Sequence, residues 1–152
     1  MAYTAAEGRQ QLLDALASAT EQLGAAVTAL GEAYEQLDEH SGDVLERRLF
    51  RPAQLAYGRA RRAHGAFAAR HGASGRTFTV APPGLPSAGA RGFVEQAVEA
   101  IRSADATLAE LQDSMLPVEV GDAQLRAELA ELRGLLDELP RHARELLRSV
   151  GR

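Results

Sequence analysis

Apolar residues recur along the first forty positions at Leu13, Leu16, Leu23, Val27, Leu30, Tyr34 and Leu37, with Thr20 in the one polar slot. The alternating spacing of three and four marks one face of a long helix. The flanks of this stripe are small: Ala19, Ala26 and Ala33 on one side, Ala17, Gly24 and Gly31 on the other. Small flanks let a second helix approach closely. Thr4 and Glu7 form a capping box at the start, which predicts a helix over about 4–40.

Ser41-Gly42-Asp43 reads as the following turn, and Asp43-Val44-Leu45-Glu46 as a second capping box. A second helix is expected over about 44–71, closed by Gly72 as its left-handed cap. Pro52 should kink that helix or mark its true beginning. Val94, Ala97, Ile101, Ala104, Leu108, Leu111 and Met115 predict a third helix over about 90–115, with Pro117 just beyond it. Leu125, Leu129, Leu132, Leu136, Leu139, Ala143, Leu146 and Val150 predict a fourth over about 122–150. Its register survives Pro140, so a kinked but continuous helix is expected.

Four long amphipathic helices in 152 residues predict one all-α domain, an antiparallel up-down four-helix bundle covering 1–152. A chain of this size buries about 70% of its unfolded surface and needs no disulfide or metal to hold its core. Residues 73–90 are the exception to the helical period, being too long for a minimal turn and too rich in Pro, Gly and Ser for a helix. Phe78, Val80 and Leu85 are expected to pin this crossover along the helices. The alternative is a binding loop or lid.

Composition removes several chemistries. All 17 basic residues are arginine, and cysteine and lysine are absent. Disulfides, thiolate metal sites, Walker phosphate loops and Schiff-base lysines are therefore excluded. No histidine has a glutamate three positions before it, so the Glu-x-x-His pairs of di-iron bundles are missing. Gly72-Ala73-Ser74-Gly75-Arg76 lacks the final glycine of a serine-hydrolase elbow. No catalytic residue, metal ligand or cofactor is expected, and the reading leans away from an enzyme.

Tyr34-Glu35-Gln36-Leu37-Asp38 resembles the Y-x-x-x-[DE] export signal of small helical-hairpin secretion substrates. The Trp-x-Gly turn of that family is missing and Tyr34 falls on the core stripe, so the match is read as coincidence. The N-terminus has no basic segment leading into an apolar run, and no apolar stretch nears the ~20 residues of a membrane span. A cytoplasmic protein with no membrane contact is the expectation.

Charge sharpens one region. Residues 1–43 carry eight acids and one arginine, residues 44–91 nine arginines and Glu46, and residues 92–122 seven acids and Arg102. A basic segment between acidic ones suggests neighbouring helices of opposite sign. On the second helix Leu49, Ala53, Ala56, Ala60, Ala63 and Phe67 share one face, and the arginines lie roughly 80–180° from it. The arginine face is read as solvated charge reaching the first and third helices.

Two features stand apart. Phe50, Tyr57, His64 and His71 recur every seventh residue, a stripe running from the flank towards the core. Gly58 and Gly65 point outward among the arginines, a notch rimmed by Arg51, Arg61 and Arg62. These seven side chains are the candidate binding residues. The leading expectation is a non-enzymatic protein that works through protein–protein contacts, self-association included. The alternative is a small molecule held near the second helix and residues 73–90. Nucleic-acid binding through the arginine face ranks last, against an acidic total and with no aromatic residues interleaved on that face.

Overall fold

The computed structural model describes residues 5–80, 82 and 88–150. Among these the chain is all-helical, with no strand. Helix α1 spans Ala5–Glu35, α2 Glu39–Leu45, α3 Arg51–Arg70 and α4 Gly89–Asp113. Three shorter helices follow: α5 (Leu116–Val120), α6 (Ala123–Leu136) and α7 (Leu139–Ser149). Helix α1 packs most extensively on α4 and then on α3, while α6 lies against α3 and α4, and α7 against α4. Thr4 and Leu85, which the sequence assigns to a cap and a crossover anchor, lie outside the described residues.

The deepest face of α1 is Leu12, Leu16, Ala19, Leu23, Ala26, Leu30 and Ala33. It runs through the alanine flank, one position away from the predicted stripe. Val27 and Leu37 are only half-buried, and Tyr34 is 41% exposed. Tyr34 is therefore not a core residue. Thr20 is buried, its hydroxyl donating 2.7 Å to the Leu16 carbonyl within its own helix, which satisfies the one polar group of the stripe.

The first turn falls at residues 36–38, earlier than Ser41-Gly42-Asp43. Asp38 has extended backbone and accepts from the Ser41 N–H at 2.7 Å, so it caps α2. Asp43 caps nothing and Gly42 sits inside α2. A β-carbon on Gly42 would lie 3.3 Å from the Tyr34 ring, so tertiary packing selects the earlier of two capping aspartates.

From Glu39 the helical backbone continues through a π segment, Glu46–Phe50, into α3. Pro52 brings no N–H, so the turn before it has carbonyls to spare. The Arg51 N–H reaches back five residues to Glu46, and the Arg48 carbonyl lies 3.2 Å from His142 Nδ1. At Pro140 the expected continuous helix is interrupted: Asp137 and Glu138 keep right-handed helical dihedrals but separate α6 from α7. Proline again withholds the N–H that would have continued the ladder.

The third helix also ends early. Ser114 turns extended, its hydroxyl donates to Leu111 and accepts from the Leu116 N–H, and α5 begins. Leu116 tucks against Gly8 of α1 and Pro117 is buried. Met115 is left 60% exposed instead of closing the core stripe.

Candidate functional site

The seven-residue stripe of the second helix packs on the Ala/Gly flank of the first. A β-carbon on Gly24 would stand 3.1 Å from the Tyr57 ring, and one on Gly31 would stand 3.8 Å from Phe50. Numbering falls along α1 as it rises towards α3, so the same register sets Ala17 opposite His64. Tyr57 and His64 are buried, at 8% and 3% exposure, and Phe50 and His71 are half-buried.

The stripe does not line one common cavity. Tyr57 carries Arg61 over its ring at 4.6 Å, and Arg51 pairs with Glu46 at 3.3 Å within the same helical run. Arg62 faces the other way, into a cleft of about 250 Å³ between α3 and α6, where Arg59 pairs with Glu131. The three arginines thus have three different surroundings, and of them it is the Arg62 guanidinium that lies over Gly58, 3.4 Å from where a β-carbon there would stand. A β-carbon on Gly65 would meet nothing within 4 Å.

The arginine face is neutralised chiefly by the last third of the chain, where the sequence pointed to the first and third helices. Arg48 pairs with Glu145 at 3.1 Å, Arg59 with Glu131 and Arg70 with Asp122 at 3.0 Å. Arg76 reaches α1, at Glu21. Helix α4 is instead paired from α6, through Arg133 and Asp105 at 2.9 Å.

His71 belongs to a polar cluster the sequence did not reveal. Arg70 donates to both oxygens of Asp122 at 3.0 Å, His71 Nε2 lies 2.8 Å from one of them, and the Leu125 N–H donates to the other at 2.8 Å. Burial by itself would raise the Asp122 carboxyl. The Arg70 guanidinium, the Leu125 N–H and His71 together outweigh it and hold the group at about 2. Asp122 is therefore an anion that caps α6 and ties it to the end of α3. The only sequence signal was an aspartate introducing a helix, and its partners lie some fifty residues earlier.

His64 has the opposite character. Its Nδ1 is buried with no hydrogen-bond partner, and Phe78 meets its ring edge-on at 5.2 Å. Burial, then the nearby Arg76, pushes the imidazole below its ordinary value, while Asp14 and the Leu13 carbonyl act the other way. An open cleft of about 300 Å³ runs beside it, lined by Glu21, Arg76, Thr77, Phe78 and Thr79. Phe78 thus anchors the crossover, as expected, whereas Val80 is 45% exposed and anchors nothing.

Two further surfaces are not absorbed by the fold. Arg91, Arg144 and Arg148 flank a cleft of about 430 Å³ floored by Leu147 and Val150. Met115 and Val118 protrude at the corner of α4, α5 and α6, beside a cleft of about 180 Å³ that includes Pro117 and Leu129. Among the described residues no three His, Asp or Glu side chains are grouped to share a metal ion, and no helix is long and apolar enough to cross a membrane. Comparison with protein-family models, curated protein sequences and solved structures gives no significant match in any of the three.

Proposed function

We propose that the chain is an antiparallel up-down four-helix bundle that works through protein–protein contact, with a second copy of itself as the partner. The bundle reading is supported by the ring of contacts α1–α3–α6–α4–α1 and by the opposed numbering of the Gly24–Tyr57 and Gly31–Phe50 pairs. The observation that carries the contact reading is the exposure of Met115 at 60% and Val118 at 50% beside a cleft of mixed lining, with Pro117, Val118 and Leu129 among its walls. The leucine stripes of α6 and α7 are buried internally. Of the exposed large apolar side chains among the described residues, Met115 and Val118 are the two most exposed and lie three positions apart, whereas Tyr34, Leu55 and Val80 are far apart in the sequence. A pliable thioether next to a shallow cleft suits a self-complementary two-fold contact, each copy's methionine seating in the other's cleft. The arginine face offers less to nucleic acid than its count suggests, because Arg48, Arg59, Arg70 and Arg76 each hold a carboxylate.

The test is molar mass by light scattering across a range of concentrations. The wild type should exceed its 16.2 kDa monomer mass. M115S/V118S should return to the monomer with unchanged helical circular dichroism. A wild type that stays monomeric at the highest concentration overturns self-association. A second reading, a small-molecule site along the crossover, is favoured by the unpartnered Nδ1 of His64 beside the Phe78 cleft. Chemical-shift changes confined to Thr77, Phe78 and His64 in a fragment titration would support it.

A further inference from the structure

Helix α3 ends in a Schellman turn: Gly72 has φ +65°, its N–H bonds the Ala69 carbonyl, and the Ala73 N–H bonds Ala68 at 2.8 Å. Beyond Ala73 the described chain up to residue 80 makes no backbone–backbone hydrogen bond. Two side-chain contacts hold it down: Phe78 roofs His64, and Arg76 pairs with Glu21 of α1. Within the segment the Arg76 guanidinium lies 5.5 Å from the Phe78 ring centre and links the two. Removal of either anchor leaves little else to keep the segment in place.

We infer that residues 73–80 are a strap, closed over His64 while that imidazole is neutral and released when it takes up a proton. The neutral ring fits the closed arrangement better than the charged one, since one nitrogen faces the Leu13 carbonyl and the other leaves only a lone pair unmet. A second proton would place an N–H⁺ on Nδ1 where no acceptor stands. It would also put like charge beside Arg76 of the strap itself, an effect that Asp14 of α1 opposes. Lifting Phe78 admits water to Nδ1 and moves Arg76 away, relieving both penalties together.

The sign follows from the direction of the shift. The closed state binds the proton more weakly than a free imidazole. Closure is therefore fully favoured above about pH 6.5 and weakens as pH falls below it. Opening would expose the Phe78 ring and the His64 edge of the α1–α3 seam, a surface separate from the Met115 corner.

The chain contains no tryptophan, so Phe78→Trp introduces a single tryptophan at the roof, excited selectively at the red edge where the three tyrosines do not absorb. Its emission should shift to the red in one transition below about pH 6.5 while helical circular dichroism stays constant. The same probe combined with His64→Leu should show no transition. NMR titration of the His64 ring in the wild type, alongside nuclear Overhauser contacts between the His64 and Phe78 rings, covers the case in which tryptophan fails to dock. There, imidazole protonation and loss of the ring–ring contacts should coincide. An unaltered transition with His64→Leu, a transition that accompanies loss of helix, or a protonated His64 that keeps its contacts to Phe78 would each overturn the inference.

Discussion

The Tyr57 ring lies directly over Gly24, 3.1 Å from where a β-carbon on that residue would stand. The contact unites two sequence features that look unrelated, a glycine in the middle of α1 and an aromatic residue on an alanine-rich helix. Tyr57 is 8% exposed with Arg61 over its outer face, so it has little room to retreat. Gly24→Val should therefore destabilise the fold by about 1–3 kcal/mol through overpacking. Pairing it with Tyr57→Leu should recover part of that loss, as a double-mutant cycle by urea denaturation will read directly.

Gly65 provides the contrasting case. It lies in the same helix as Tyr57 but is exposed, has no positive φ, and a β-carbon there meets nothing within 4 Å. Gly65→Ala should stabilise the protein by about 0.5–1 kcal/mol, the helix-propensity difference with no packing term against it. A lower denaturation midpoint for this variant would mean that the outward face of α3 is covered by something in solution.

These two glycines indicate what the sequence could and could not disclose. The period-seven stripes of Phe50, Tyr57, His64 and of Ala17, Gly24, Gly31 were both legible, as were the helices that carry them. That each is the other's partner was not, because register between helices depends on both surfaces at once. The turn at Asp38 was missed for a similar reason: Asp38 and Asp43 cap equally well locally, and Tyr34 packing on Gly42 decides between them. Periodicity gave no hint that Phe78 roofs His64, since the strap has no period. Arg70, His71 and Asp122 were each visible, but their meeting is a property of the α3–α6 packing.

That meeting predicts an acid-dependent loss of stability. The Asp122 carboxyl is held at about 2 against an ordinary value of 3.8, so the folded state binds its proton more weakly. The stabilisation is fully present above pH 3.8 and is lost as pH falls from there towards 2. It should amount to about 2 kcal/mol. Asp122→Asn keeps a cap for α6 but loses the charge. Its stability deficit at neutral pH should shrink towards zero in acid, whereas Asp122→Ala, which also loses the cap, should stay weaker throughout. Parallel pH profiles for wild type and Asp122→Asn would contradict the assignment.

The last prediction couples two residues ninety positions apart. Pro52 supplies no N–H to the turn before it, and His142 Nδ1 stands 3.2 Å from the Arg48 carbonyl in that turn. With Nδ1 donating, Nε2 is left facing Glu138 at 3.5 Å. His142→Ala should then cost about 1 kcal/mol, the value of a hydrogen bond to a carbonyl that Pro52 does not serve. Pro52→Ala would restore an N–H to the helix and let the turn satisfy more of its own carbonyls. The cost of His142→Ala should accordingly fall in that background, giving a coupling of about 0.5 kcal/mol or more in a thermodynamic cycle. If the cost is the same with and without the proline, His142 contributes by packing between α7 and the π segment, and the carbonyl contact adds nothing.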